Sequence, residues 1–146
     1  MKKQLLTLLL ISLSLIACKK DPTSGEIEVR VSYLLSPAQG QVPDAGANIY
    51  LYKQEGKTIK YTTAIRTGVL EYEGQSQPAT KLYAAQTNAE GIAMIAEIPF
   101  GDYLLVVGSK NRATYSIKPI TLTAEYTYFN KNFGNQSDNK QDGENW

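Results

Sequence analysis

The alternation of apolar and polar residues from Ile27 to Leu35 constrains the fold of this chain more than any other feature. Apolar side chains occupy every second position, and Glu28, Arg30 and Ser32 stand between them. A period of two is typical of a β-strand with one buried face. The same alternation predicts a strand at Ala47–Tyr52, and Tyr103–Val107 is a continuous apolar run whose length suits a buried strand. Further strands are predicted at Ile59–Ile65, Leu82–Thr87, Ile117–Leu122 and Tyr126–Phe129.

Helical patterning is missing from the sequence after its first residues. No stretch of a dozen residues combines a helical period with capping residues, and glycine or proline turns separate the predicted strands. Without helices to cover a parallel sheet, an antiparallel β-sandwich is the expected architecture. Pro119 suits an edge strand, because proline has no N–H to donate to a neighbour.

The N-terminus reads as a secretory signal peptide over residues 1–17. Lys2 and Lys3 give a positive start, an apolar run extends from Leu5 to Ile16, and the small residue Ala17 precedes Cys18. The run is shorter than the roughly 20 residues that a membrane-spanning helix needs. We therefore expect this segment to be cleaved and not retained as an anchor.

The residues Leu15, Ile16, Ala17 and Cys18 resemble the lipobox of bacterial lipoproteins. The resemblance implies cleavage between Ala17 and Cys18, a diacylglyceryl group on the Cys18 thiol, and attachment to the outer membrane through lipid. The resemblance also gives a role to the only cysteine of the chain, which has no disulfide partner. The alternative is that Cys18 merely ends an ordinary signal peptide.

The tether that follows, Lys19-Lys20-Asp21, resembles in part the export tag on surface lipoproteins of the Bacteroidetes. The match is incomplete because Pro22 stands where a second acidic residue is expected. The same residues are equally typical of a plain solvated tether. Display at the cell surface and display toward the periplasm both remain open.

Composition excludes several classes of function. Cleavage would remove Lys2 and Lys3 and leave a nearly neutral chain, which lacks the basic surface that binds nucleic acid. The sequence contains no histidine, so catalytic triads, most zinc sites and histidine proton shuttles are excluded. We expect no enzyme activity, no cofactor and no metal ion.

Three further segments, Pro43–Tyr52, Thr87–Ala93 and Ile98–Val106, resemble in order the signature segments of the transthyretin-like and carboxypeptidase-regulatory-like sandwich, a superfamily that includes the Cna B-type repeat. The resemblance implies a Greek-key, prealbumin-like sandwich of about seven strands. The expected layout is a lipidated tether at 18–25, the sandwich at 26–130 and a disordered polar tail at 131–146.

The residues of these segments have physical roles of their own. Gly91 can adopt the positive φ of a hairpin turn, and Asn88 tolerates it. Tyr103 can bury its ring while its hydroxyl reaches a loop carbonyl. We therefore interpret them as fold residues and not as a site.

Two chemistries known in the superfamily fail on this sequence. Transthyretin-like hydrolases of urate breakdown products rely on histidine, which is absent. Cna B-type domains often join a first-strand lysine to a last-strand asparagine, but the first strand here offers Arg30 and no lysine. Asn130, Asn132 and Glu97 are thus candidates without a nucleophile, and we predict no such crosslink, so the protein should not lose the mass of one ammonia, about 17 Da.

Candidate binding residues come from the abundance of tyrosine. Tyr50 and Tyr52 alternate with apolar neighbours, and with Tyr72 they are predicted to form an exposed aromatic surface for a sugar or a protein partner. The alternative is that tyrosine simply suits strand surfaces. The stretch 68–81 is longer than the fold requires, so it is either a binding loop or a solvated hairpin.

Three functions remain open on the sequence alone. The first is a lipid-anchored, non-catalytic envelope module that binds a protein or a glycan. The second is a structural subunit of an envelope assembly, joined by strand addition. The third is a glycan hydrolase that uses the carboxylates of Glu71 and Glu73, which alternate with Tyr72 and could share a face. Paired carboxylates on a loop are usually just solvated.

Overall fold

The computed structural model describes residues 21–134 and Trp146, and within them it contains ten β-strands and one 3₁₀ helix. The strands are β1 (Ser24–Ser36), β2 (Gly40–Pro43), β3 (Asn48–Lys53), β4 (Ile59–Lys60), β5 (Glu71–Tyr72), β6 (Lys81–Gln86), β7 (Ile92–Pro99), β8 (Gly101–Gly108), β9 (Tyr115–Leu122) and β10 (Tyr126–Phe133), and the 3₁₀ helix is Thr63–Thr67. The predicted signal peptide, Ala17, Cys18 and residues 135–145 of the predicted tail lie outside the described residues. Among the described residues, no helix has the length and apolarity that a membrane crossing demands.

The first sheet is organised around β1. One side of β1 pairs with β7 through its first half and with β2 through its second half, both antiparallel. The other side pairs with β10, and this pair is parallel, with Glu26 opposite Tyr126 and Tyr33 opposite Phe133. The first and last strands of the described domain are therefore neighbours that run in the same direction.

The second sheet has the strand order β6-β3-β8-β9, and all its pairs are antiparallel. Pro119 lies in β9 at the edge of this sheet, opposite Leu104 of β8. The edge position predicted for Pro119 is confirmed, since its missing N–H would break a ladder in an inner strand.

The core lies between the two sheets. Alternate residues of β1 (Ile27, Val29, Val31) face alternate residues of β3 and β8, which include Ile49 and Leu105, and all of these are buried. The all-β sandwich predicted from the alternation is confirmed. The apolar residues packed here are Ile27, Val29, Val31, Ala47, Ile49, Leu51, Ala93, Ile95, Ile98, Tyr103, Leu105, Val107, Ile120, Leu122 and Phe133.

The segment between β3 and β6 differs from the prediction. The strand expected at Ile59–Ile65 is only Ile59–Lys60, and it pairs with the two-residue strand β5. The chain then turns into the 3₁₀ helix, which buries Ile65 and ends at Gly68 with φ of +83°. The prediction of a full strand was wrong because an isolated apolar residue at this position is buried by a helical turn.

The final strand is longer than predicted. β10 continues through Lys131, Asn132 and Phe133, which the sequence analysis assigned to the polar tail. Lys131 and Phe133 are both buried, and the Lys131 ammonium lies 5.1 Å from the Phe133 ring centre. The sandwich therefore extends past residue 130. The contact with an aromatic ring is favourable for the buried charge of Lys131.

Candidate functional site

The tyrosines predicted to form a binding surface are not exposed. Tyr50, Tyr52 and Tyr72 retain only 8%, 1% and 2% of their accessible area. They belong to a second core on the outer face of the second sheet, formed by Tyr50, Tyr52, Ile65, Leu70, Tyr72, Leu104, Val106, Tyr115 and Ile117. The prediction of an exposed row was wrong because the segment from β4 to β5 covers this face of the sheet.

The covering segment is fixed by specific contacts. The N–H of Ala79 donates to the carbonyl of Leu70 at 2.7 Å, and the Lys81 ammonium lies 4.4 Å from the Tyr50 ring centre. A Cβ added to Gly108 would stand 2.2 Å from the Arg66 carbonyl oxygen, so the 3₁₀ helix rests directly on β8. Residues 68–81 thus form a wall of the second core.

Burial in the second core also affects the chemistry of its tyrosines. Desolvation raises the pKa of Tyr52 and of Tyr72, since the charged phenolate is disfavoured away from water. The hydroxyls of Tyr52 and Tyr72 are buried without a hydrogen-bond partner among the described residues. This arrangement is suited to packing and not to proton transfer.

A buried acidic residue, Asp44, joins three loops through its side chain and its backbone carbonyl. Its side chain accepts hydrogen bonds from Ser109 Oγ, from the N–H groups of Lys110 and Asn111 (both 3.2 Å), and from Asn111 Nδ2 (2.7 Å). Its carbonyl accepts from Thr87 Oγ1 at 2.5 Å. Asp44 therefore holds the turn before β3 to the loop after β8, which is a structural role.

Gly91 and Tyr103 behave as predicted, whereas Asn88 supports the turn through its side chain and does not adopt a positive φ. Gly91 has φ of +75°, and the Asn88 side-chain oxygen accepts from the N–H of Ile92 at 2.9 Å. The Tyr103 hydroxyl donates to the Pro99 carbonyl at 2.6 Å while its ring is buried. These residues shape the fold.

The carboxylates considered for hydrolysis lie on the covering segment. The Lys60 ammonium forms an ion pair with the Glu71 carboxylate, at 2.9 Å, across the short β4–β5 ladder. The N–H of Glu73 donates to the Thr58 carbonyl at 2.9 Å, which closes the same ladder. Both residues thus take part in holding the covering segment together.

The outer face of the first sheet is open and carries exposed aromatic rings. Along β10 the residues Tyr126, Tyr128, Asn130 and Asn132 alternate with inward-facing neighbours. The parallel register places Tyr128, Asn130 and Asn132 beside Glu28, Arg30 and Ser32 of β1. We call this surface, made by Glu28, Arg30, Ser32, Tyr126, Tyr128, Asn130 and Asn132, the β1–β10 face.

A hydrogen bond holds Tyr126 in place, and a cation–π contact holds Tyr128. The Tyr126 hydroxyl donates to Glu28 Oε2 at 2.5 Å, and Arg30 Nε donates to Glu28 Oε1 at 2.8 Å. The Arg30 guanidinium lies 5.6 Å from the centre of the Tyr128 ring. The Tyr126 hydroxyl, followed by Arg30, lowers the pKa of Glu28, so the carboxylate is charged at neutral pH.

A groove of about 290 Å³ continues from Tyr128 toward the end of β10. The Ser32 hydroxyl lies within hydrogen-bonding distance of Asn132 Oδ1 and, at 3.2 Å, of Gln41 Oε1 of β2, so these three side chains form a connected polar patch in the groove. The lining residues are Arg30, Val31, Ser32, Gln41, Val42, Pro43, Glu90, Tyr128, Asn130 and Asn132.

A second groove, of about 440 Å³, lies at the start of β1. Its walls include Asp21, Glu26, Glu97 and Glu125. No group of three or more potential metal ligands occurs among residues 21–134 and Trp146.

Asn130, Asn132 and Glu97, weighed above for a crosslink, fall on different surfaces. Asn130 and Asn132 line the β1–β10 groove, whereas Glu97 lines the second groove. β1 contains no lysine, and Arg30 lies opposite Asn130. The absence of a crosslink remains a prediction.

The sequence analysis missed Tyr126 and Tyr128 as site residues. Their exposed fractions are 51% and 46%. The alternation of Tyr126, Tyr128, Asn130 and Asn132 with Phe129 and Phe133 was visible in the sequence, but the polar composition after Phe129 was read as a tail. The two-residue period of Tyr126 and Tyr128 continues through Asn130 and Asn132, and this pattern could have revealed the face.

No protein-family model and no curated protein sequence matches the chain. Solved structures do resemble it. A variant of the major pilin subunit BcpA of Bacillus cereus aligns with a TM-score of 0.45 and 15% identity over 76% of this chain and 30% of the pilin. The minor pilin GBS52 of Streptococcus agalactiae aligns with a TM-score of 0.44 and 20% identity over 78% of this chain and 44% of the pilin.

A third similar structure is a candidate carbohydrate-binding protein of Pseudomonas aeruginosa, with a TM-score of 0.45 and 13% identity over 82% of this chain and 93% of that protein. This chain spans less than half of either pilin structure. At these identities and TM-scores the similarity does not extend to function.

Proposed function

We propose that this protein is a lipid-anchored, non-catalytic module of the bacterial cell envelope that binds a protein or a glycan through the β1–β10 face. The observation that carries this proposal is the open β1–β10 face itself. It presents two exposed tyrosines, fixed by Glu28 and Arg30, next to a polar groove. Exposed aromatic rings held in place favour binding, because little side-chain entropy is lost when a ligand contacts them.

The position of the groove agrees with an anchor at Cys18. The tether enters the sandwich at Ser24, whereas Ser32 of the groove lies eight residues further along the same strand. A strand rises roughly 3.3 Å per residue, so the groove is about 26 Å from the point of entry. A lipid at Cys18 would hold the start of β1 near the membrane and leave the groove away from it.

Lipid attachment at Cys18 rests on the lipobox resemblance. Each buried methylene group of an acyl chain contributes about 0.8 kcal/mol, so two or three chains form a stable anchor. The described residues begin with Asp21–Thr23, an exposed segment without regular secondary structure that leads directly into β1. A short link of this kind would keep the domain close to the membrane surface.

A non-catalytic role is supported by the residues available. The sequence has no histidine, and Glu71, the best carboxylate candidate, is held in an exposed ion pair with Lys60. A glycosidase needs one carboxyl group with a raised pKa facing a second across a cleft. The β4–β5 ladder offers no such enclosure around Glu71.

The anchor is tested by metabolic labelling with a palmitate analogue in a bacterial host, followed by protease shaving of intact cells. We expect the wild type and a Thr23→Ala control to be labelled and Cys18→Ala to lose the label. Shaving of the labelled protein would support surface display, whereas protection would favour the periplasm. An unlabelled wild type would contradict the lipid anchor.

A structural subunit is a second candidate because β10 has a free edge. Within the described residues β10 pairs only with β1, so its outer backbone groups can accept a strand from another chain. Light scattering during size-exclusion chromatography, over a range of protein concentrations, tests this function. Growing oligomers would favour it, and a constant monomer would oppose it.

A further inference from the structure

We infer that the ligand of the β1–β10 face is a neutral oligosaccharide, whose sugar rings stack on Tyr128 and Tyr126 and whose hydroxyl groups bond to the amides of the adjoining groove. This inference rests on the proposed function and names the ligand of the same site.

The two rings form a platform with a fixed spacing. Tyr126 and Tyr128 are two positions apart on one strand and point to the same side, which separates them by about 7 Å along β10. Glu28 fixes the Tyr126 hydroxyl, and the Arg30 guanidinium lies against Tyr128. The apolar C–H face of a sugar can be buried against such a ring without first ordering it.

The groove beyond Tyr128 matches the polar edge of a sugar. Asn130, Asn132 and Gln41 each carry both a carbonyl acceptor and an N–H₂ donor. Neighbouring hydroxyls of a sugar also donate and accept, so each amide can satisfy a pair of them. At about 290 Å³ the groove is at the small end of ligand sites, a size that suits a short oligosaccharide.

The charges of the face favour a neutral ligand. Arg30 is the cation of the groove, and its charge is balanced by the Glu28 carboxylate at 2.8 Å. Glu90 contributes a negative charge to the same lining. A phosphate or an acidic glycan would meet no uncompensated positive charge there, and it would be repelled by Glu90.

The lining also favours a glycan over a protein segment. The centres of protein interfaces are enriched in apolar and aromatic residues that fill dry pockets. This groove instead combines polar side chains, linked through Ser32, Asn132 and Gln41, with the apolar residues Val31, Val42 and Pro43. A mixed lining of this kind matches a sugar, which presents both hydroxyl groups and apolar C–H faces, and it differs from the dry apolar pocket that a protein anchor residue fills.

The test uses the full-length protein purified in mild detergent. We would screen it against an array of neutral oligosaccharides (glucans, mannans, xylans, N-acetylglucosamine oligomers) and acidic ones (polygalacturonate, hyaluronan), and measure positive ligands by calorimetry. We expect binding to a neutral member, weakened roughly tenfold or more by Tyr128→Ala. Tyr61→Ala is the matched control, because Tyr61 is 57% exposed and lies on the covering segment, so affinity should not change.

The outcomes separate this inference from the proposed function. Selective binding of acidic glycans, or neutral binding that Tyr128→Ala and Tyr126→Ala leave intact, would overturn the inference. Failure of every glycan, together with a protein partner crosslinked through a photoreactive residue at position 128, would overturn it while preserving the proposed binding function. Loss of binding in Tyr61→Ala as well would point to a different face and also overturn it.

Discussion

Replacing Asp44 with asparagine tests the buried carboxylate that holds the turn before β3 to the loop after β8. The asparagine side chain has nearly the same shape, but one carboxylate oxygen becomes an N–H₂ group. If its carbonyl stays with Asn111, the amide nitrogen faces the N–H of Lys110, and a donor then meets a donor. The contacts with Ser109 Oγ and Lys110 lose their charged acceptor.

The size of the effect follows from these contacts. Hydrogen bonds to a charged group contribute about 1.5–3 kcal/mol each, and one or two of them are lost, so we expect Asp44→Asn to reduce the free energy of unfolding by about 2–5 kcal/mol. Asp44 is completely buried, so solvent does not screen the loss. For a domain whose stability is about 5–15 kcal/mol, this change is readily measured.

Equilibrium unfolding in urea, followed by tyrosine fluorescence, gives the midpoint and the slope for each variant. Asp102→Asn is the matched control, since Asp102 accepts one exposed bond, from Thr121 Oγ1 at 2.7 Å, and its loss should cost less than about 1 kcal/mol. Equal midpoints for Asp44→Asn and Asp102→Asn would refute the role assigned to Asp44.

Three further perturbations test other parts of the structure. Tyr52→Phe removes a buried hydroxyl that has no partner among the described residues, so thermal denaturation should show unchanged or increased stability; a clear loss would reveal a missing hydrogen bond. Gly108→Ala places a Cβ 2.2 Å from the 3₁₀ helix and should destabilise by about 1–3 kcal/mol in urea, whereas Gly134→Ala, which meets open space, should have no effect. Because the folded-state pKa of Glu28 is lowered, its contribution to stability is present above the unfolded-state pKa and is lost as pH falls through the folded-state value. Tyr126→Phe should raise that pKa in an NMR titration of the carboxyl carbon, and an unchanged pKa would contradict the hydrogen bond.

The sequence was informative where a local pattern has a single physical reading. The alternation from Ile27 predicted a strand, and β1 is that strand. Proline at position 119 predicted an edge, and Tyr103 was expected to reach a loop carbonyl, because these features depend only on nearby backbone. Such expectations need no knowledge of distant packing.

Prediction failed where the outcome depends on what covers a surface. Tyr50 and Tyr52 are two positions apart on one strand, as Tyr126 and Tyr128 are, yet the first pair is buried and the second is exposed. The difference arises because the β4–β5 segment folds over the second sheet, and the described residues place no comparable cover over the β1–β10 face. A two-residue period defines two faces of a strand, but only tertiary structure decides which of them meets water.

The parallel pairing of β1 and β10 has a mechanical consequence. Tension applied between the start of β1 and the end of β10 pulls these neighbouring strands in opposite directions along their length. Such tension is a shear that loads the ladder from Glu26–Tyr126 to Tyr33–Phe133 all at once, and the hydrogen bonds cannot open one after another as in a peeled hairpin. A domain held at one end and pulled through its opposite end would therefore resist extension with all eight residue pairs of this ladder at once.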